Sequence, residues 1–301
     1  MKPKLYAAID IGTNAARLMI GKVAEENGND LVQPIQLVRS PIRLGEDVFD
    51  KGEITNEKLK KFIYTLRSFK LLAKAYGVSS IKACATSAMR EASNRDYVLE
   101  TVYNKTKLTI EVIDGDREAD LIFNSFNMSF FDDSKPHLFI DVGGGSTELT
   151  IFGKNDIRYS ESFQIGTIRI LKNKVNENIW DDIETWIKTC LDTEKQYTAI
   201  GSGGNINKIS QLSRKRYLEP ITLSELKNTV EYLNTTTYEY RIDHLRMNPD
   251  RADVIIPAGE IYVNIMELAG IKNILVPKMG VTDGMILEQY FLDKSKRIKR
   301  K

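Results

Sequence analysis

Histidine is almost absent. His137 and His244 are the only two in 301 residues, which excludes a histidine-based metal cluster and leaves both as structural residues. Cysteine is equally scarce: Cys84 and Cys190 fall in a strand-like and a helix-like segment. Two such thiols make no disulfide framework and suit a reduced, cytosolic chain. No apolar run reaches the ~18 residues that a membrane-spanning helix requires. Met1-Lys2-Pro3-Lys4 leads directly into a strand, without a signal-peptide cleavage site, so a cytoplasmic location is expected. No low-complexity linker interrupts the sequence.

What remains is ordinary for a globular protein. Apolar residues make up 42% and charged residues 28%, and the length suits about two domains. The net charge of +2 conceals an asymmetry, because six of the last eight residues are basic: Lys294, Lys296, Arg297, Lys299, Arg300 and Lys301. Without them 37 basic side chains face 41 acidic ones, a charge of −4. The tail reads either as a frayed, solvated end or as an electrostatic arm for a polyanion.

The chain is organised around Asp141-Val142-Gly143-Gly144-Gly145-Ser146-Thr147-Glu148. His137 to Ile140 ahead of it and Leu149 to Phe152 behind it read as buried strands. Glycines without a Cβ let a backbone turn sharply and approach a ligand closely. Ser146 and Thr147 add hydroxyl donors, and Asp141 and Glu148 add hard oxygen ligands for a divalent cation, the equipment for gripping phosphate. A glycine-rich turn can also do no more than join two strands. A second copy changes the balance. Tyr6 to Ile9 leads into Asp10-Ile11-Gly12-Thr13-Asn14, and Asp10, Gly12 and Arg17 match Asp141, Gly143 and Glu148 at one offset of 131 residues. Two such hairpins suggest a duplicated fold that pinches a phosphate chain between domains.

Between the hairpins, Leu31 to Val38 extends the first meander and 41–50 reads as a loop. Thr55 is an N-cap for a helix ended by Gly77. Ile81 to Ala85 and Leu108 to Ile113 read as strands, with Asn94 or Asp96 capping the helix between. The helix opening at Gly115 has an acid-rich first turn, Asp116 and Glu118, and an apolar side that includes Phe126. In the second half, Gly201-Ser202-Gly203-Gly204-Asn205 is another strand-to-helix turn, readable as a small-residue turn or as an anion site of free amides. Thr222 with Glu225 forms a capping box. Arg251 to Ala269 reads as one long helix, and Asp283 to Leu292 as the last. Helices alternating with strands argue for α/β architecture on mixed sheets.

Asp10-Ile11-Gly12-Thr13-Asn14 with Arg17, Ala85-Thr86-Ser87-Ala88-Met89-Arg90, Gly115-Asp116-Arg117-Glu118-Ala119 and the 141–148 stretch occur in that order. Together with Gly201 to Gly204 and Arg251-Ala252-Asp253 they resemble the exopolyphosphatase / guanosine pentaphosphate phosphohydrolase family. The resemblance covers essentially the whole chain. It implies two actin-like, ribonuclease-H-like α/β domains around a cleft, here 1–122 with about 285–301, and 123–284. It implies release of terminal orthophosphate from inorganic polyphosphate or guanosine pentaphosphate, and through the latter a link to the stringent response. Mg²⁺ or Mn²⁺ is the implied cofactor, with Asp141 and Glu148 beside it and Asp10 across from them. Glu118 matches the general base that activates water. Arg90 and Arg17 match cationic clamps, and Thr13, Asn14, Gly144, Gly145 and Ser146 match the phosphate-cradling loops; Gly143, Gly203 and Gly204 complete the expected substrate contacts. Neither specific nucleic acid nor membrane is an expected partner, and a homodimer is left open.

The departures are Arg117, where relatives often carry an acid, and Thr282-Asp283-Gly284, where many have Arg-Glu-Gly. The helical region that longer members add is missing, which puts processivity in doubt. Two other readings stand beside the hydrolase. One is an actin-like phosphotransferase with a nucleotide pocket around Gly201 to Gly204. The other is a non-catalytic sensor of polyphosphate or a phosphorylated signal, opposed by the intact Glu118, Asp141 and Glu148.

Overall fold

The computed structural model describes residues 3–26, 28–125, 135–153, 156–192 and 194–298; Phe126 and the terminal Lys299, Arg300 and Lys301 lie outside them. The chain divides into two compact units, Met1–Asn127 with Met279–Lys301, and Met128–Lys278.

The first unit begins with β1 (Tyr6–Ile11), β2 (Ala16–Glu26) and β3 (Asn29–Ser40), an antiparallel meander. It continues through α1 (Leu44–Lys51), α2 (Asn56–Ala75), β4 (Ser80–Ala85), α3 (Ser87–Glu91), α4 (Arg95–Thr106), β5 (Glu111–Val112) and α5 (Gly115–Ser125). The sheet order is β3-β2-β1-β4-β5, with β4 and β5 parallel to β1. Every residue of β1 is buried, as expected of a central strand covered on both faces.

The expected loop at 41–50 holds a helix instead. Pro41, Gly45 and Asp47 look like turn residues, but Leu44, Val48 and Phe49 are spaced to bury one face. Asp47 then accepts the Thr55 N–H at 3.1 Å. Thr55 in turn caps α2 by accepting the Lys58 N–H at 3.3 Å. Gly77, at φ 66°, follows α2 in the left-handed region. Asn94 stands at the head of α4 without capping it; its amide exchanges bonds with Ile54 N–H (3.0 Å) and C=O (2.8 Å). The expected strand 108–113 pairs only at Glu111–Val112.

The second unit repeats the plan with β6 (His137–Val142), β7 (Thr147–Gly153), β8 (Asp156–Phe163), α6 (Thr167–Leu171), α7 (Ile179–Cys190), β9 (Thr198–Ser202) and α8 (Gly204–Leu212). Then come β10 (Ile221–Thr222), α9 (Leu223–Asn234), α10 (Tyr238–Asp243), α11 (Pro249–Ala252), α12 (Ile255–Leu268) and β11 (Asn273–Leu275). The Thr222/Glu225 capping box is formed. The expected single helix 251–269 is broken at Asp253 and Val254. Pro257 has no N–H to donate back one turn, so it fits only within the first turn of a restarted helix. Sheet order is β10-β11-β9-β6-β7-β8. Reading outward from β6, the sequence β8-β7-β6-β9-β11 reproduces β3-β2-β1-β4-β5, with β10 added antiparallel at the edge. Its core joins Leu138, Ile140 and Leu149 from the sheet to Ile206, Ile261 and Tyr262 from the helices.

The final helix, α13 (Val281–Ile298), packs in the first unit against α5 and β1. It runs past the expected end at Leu292. Lys294, expected in a free tail, pairs with Asp30 at 3.2 Å, and Asp293 accepts a bond from Tyr6 Oη at 3.0 Å. Gln289 Nε2 donates to Ala7 O at 3.1 Å. At the other end, Gly284 lies so close to α5 that a Cβ there would run into the Leu121 carbonyl.

Candidate active site

In the first unit, the β1–β2 turn is closed by a bond from Gly12 N–H to Ala15 O at 3.0 Å. The register sets Asp10 opposite Arg17, and Arg17 Nη1 lies 3.2 Å from Asp10 Oδ2. Burial pushes the Asp10 carboxyl up, against the pull of Arg17. Thr13 is buried and Asn14 half-buried. Their carbonyls accept Gly45 N–H at 3.0 Å and Arg43 N–H at 2.9 Å, so the start of α1 fixes the turn.

Arg90 and Glu118 follow β4 and β5, whose C-terminal ends lie level with that of β1 in the same sheet. Arg90 Nη1 donates to Ile113 O at 2.8 Å, and the Ile113 N–H bonds Ala85 O at 2.9 Å. This anchors the segment that enters α5, where Glu118 is buried in the first turn. Arg117 does not share the interior. It donates to Glu288 of α13 and lies 3.6 Å from Glu111, a partly exposed network that Lys82 joins. The basic residue before Glu118 therefore braces α5 against α13.

In the second unit the same rung carries two acids, Asp141 opposite Glu148. Gly143 N–H closes the turn on Ser146 O at 3.0 Å. Ser146 and Ser162 both donate hydroxyl bonds to Glu148 Oε1, at 2.6 and 3.0 Å. The turn is clamped from the segment after β8. Thr167 N–H reaches Gly143 O (3.1 Å), Ile168 N–H reaches Gly144 O (2.8 Å), and buried Arg169 Nε donates to Gly145 O at 2.5 Å. Gly166 permits this contact: a Cβ there would sit 2.6 Å from the Gly144 carbonyl and the Gly145 nitrogen. Gly203, at φ 107°, turns β9 into α8 beside Asp141, and Gly204 begins that helix. The Tyr262 phenol is pushed up by burial, then by the Asp141 charge, and stays a protonated donor.

The structure thus gathers Asp10, Thr13, Asn14 and Arg17 on one hairpin. It gathers Asp141, Gly143, Gly144, Gly145, Ser146 and Glu148 on the other, with Gly203 and Gly204 adjoining. Arg43, Gly166, Arg169 and Tyr262 were not singled out from the sequence as site residues. Their signal is contact, not motif, except that Gly166 is a glycine at the junction between β8 and α6. Asp141 and Glu148 offer only oxygen, which fits Mg²⁺ or Mn²⁺ and not a soft ion.

The model of the Ppx/GppA phosphatase family matches residues 22–291. A bifunctional 3-dehydroquinate synthase/phosphatase of Fusobacterium nucleatum is 30% identical over 94% of this chain, which spans 46% of that protein. Exopolyphosphatase 2 of Mycobacterium tuberculosis is 25% identical, covering 93% of this chain and 97% of its own length. The solved structure of an exopolyphosphatase from Cytophaga hutchinsonii shares the fold, with a TM-score of 0.80 at 24% identity, over 95% of this chain and 97% of the other. The chain belongs to the Ppx/GppA phosphatase family.

Proposed function

We propose that this chain is a cytoplasmic phosphohydrolase that releases terminal orthophosphate from inorganic polyphosphate or guanosine pentaphosphate. Family membership supports the reaction class. The observation that carries the site assignment is the pairing of Asp141 with Glu148 across a turn whose three glycine carbonyls are all engaged by the segment after β8.

Asp141 and Glu148 hold a divalent cation in this reading, with Asp10 as the third carboxylate. When bound, Mg²⁺ or Mn²⁺ neutralises charge on the phosphate oxygens. The residues do the rest. Gly143 to Ser146, Thr13, Asn14, Gly203 and Gly204 cradle the phosphates with backbone and hydroxyl donors, and Arg17 and Arg90 balance their charge. Glu118 orients a water and takes its proton as the water attacks the terminal phosphorus and the bridging oxygen leaves. Positioning and charge neutralisation supply most of the acceleration in phosphoryl transfer.

Phosphate release, resolved by chain length and run beside guanosine pentaphosphate, tests the reading. Release from either substrate without an acceptor supports it. Release only when a nucleotide acceptor is present identifies a phosphotransferase, and tight binding without release identifies a sensor.

A further inference from the structure

Tyr262 lies on α12, wholly buried in the core of the second unit. Phenylalanine would fill the same space, so the hydroxyl needs its own explanation. It donates to the Ser202 carbonyl, lies 3.3 Å from Ile140 O and accepts the Val142 N–H at 3.4 Å. Ile140 and Val142 bracket Asp141; Ser202 precedes Gly203. Asp141 and Ser202 form the last rung of the parallel β6–β9 pair. Beyond it the strands diverge, β6 into the 143–146 turn and β9 into Gly203. The diverging ends are close: a Cβ on Gly203 would stand 3.3 Å from Asp141 Oδ1.

Where paired strands part, their last N–H and C=O groups lose their ladder partners and need others. One hydroxyl serves groups on both strands here. We infer that Tyr262 is a positioning residue: its hydroxyl fixes the backbone on either side of Asp141 against the 201–204 turn, and so sets the placement of the Asp141 carboxylate. This rests on the reading of Asp141 as a cation ligand. Groups that orient a ligand from behind are commonly worth 10–100-fold in metal affinity or activity.

The test compares Tyr262→Phe with Asp141→Asn in the full chain, using Mn²⁺ alone as the probe and electron paramagnetic resonance to count bound ion. Tyr262→Phe is expected to keep the wild-type circular dichroism, to bind Mn²⁺ about tenfold more weakly, and to need correspondingly more metal for half-maximal phosphate release. If Asp141→Asn weakens Mn²⁺ binding while Tyr262→Phe leaves it unchanged, the inference fails and the cation reading survives. If Asp141→Asn binds Mn²⁺ like the wild type, the cation reading fails and takes the inference with it. Hydrogen exchange on the wild-type chain gives a readout independent of folding in either variant. The Val142 amide should exchange with the core and slow further on adding Mn²⁺; exchange as fast as that of exposed turn amides overturns the inference.

Discussion

Glu148 stands directly across the β6–β7 ladder from Asp141, on the rung that Arg17 fills opposite Asp10 in the first hairpin. The first hairpin neutralises itself, with Arg17 and Asp10 3.2 Å apart. The second sets two acids face to face, and like charges at such positions destabilise an antiparallel pair. A bound cation relieves that repulsion. Asp141→Asn should therefore melt at or above the wild-type temperature in chelator, by the equivalent of about 0.2–1 kcal/mol, and lack the stabilisation by Mg²⁺ that is expected of the wild type. Calorimetric scans with and without Mg²⁺ decide it. An undiminished Mg²⁺ effect in the variant contradicts the assignment.

Asp283 heads α13, accepting the Gly280 N–H at 3.0 Å. Burial pushes its carboxyl up from 3.8 to about 6. Between those values the folded chain holds a proton that the unfolded chain has released, so stability falls as pH rises through the window from about 4 to about 6 and stays lower above it. The contribution is roughly 3 kcal/mol. Asp283→Asn keeps an acceptor for Gly280 and cannot ionise. Its denaturation curve should lack this fall and show greater stability than the wild type at pH 7. Parallel pH profiles for the two proteins would rule the effect out.

Gly166 and Gly77 offer a contrast between glycines. Gly166→Ala drives a methyl into backbone atoms of Gly144 and Gly145, 2.6 Å away, and backbone cannot swing aside as a side-chain end can. A loss of about 1–3 kcal/mol is expected, together with a large fall in phosphate release, because the 143–146 turn must shift. Gly77→Ala meets nothing within 4 Å and suffers only its left-handed φ, a cost of about 1–2 kcal/mol, with activity per folded molecule intact. Urea melts beside initial rates separate the two. Equal effects on activity would show that the Gly166 contact has no bearing on the site.

The hairpins were legible in sequence because a glycine turn between two short apolar runs is a local pattern, and an offset of 131 residues repeats it. The match is close: β1 and β6 each have six residues, and Gly12–Ala15 and Gly143–Ser146 close the two turns with the same 3.0 Å bond. Caps at Thr55 and Thr222 were legible for the same local reason. Helix α1 was not, since Pro41, Gly45 and Asp47 mask the spacing of its three apolar contacts. Nor could composition foresee the break before Pro257, where one missing N–H decides between one helix and two. Arg117 read as a departure near the site until its partners, Glu111 and Glu288, were known. Tyr262 meets Ile140 across 122 positions of sequence, and no local pattern encodes such a contact.

Glu118 remains the centre of the proposed chemistry. It is buried in the first turn of α5, on a segment anchored by Arg90 to Ile113 O at 2.8 Å. Glu118→Gln preserves size and hydrogen bonding but cannot take a proton. Steady-state phosphate release from polyphosphate by this variant is the most direct measurement. We expect kcat to fall by roughly 10²–10⁴-fold, the usual worth of a general base, with KM unchanged or lowered, since one negative charge facing phosphate is gone. Hydrolysis at the wild-type rate would contradict the mechanism, whatever the fold.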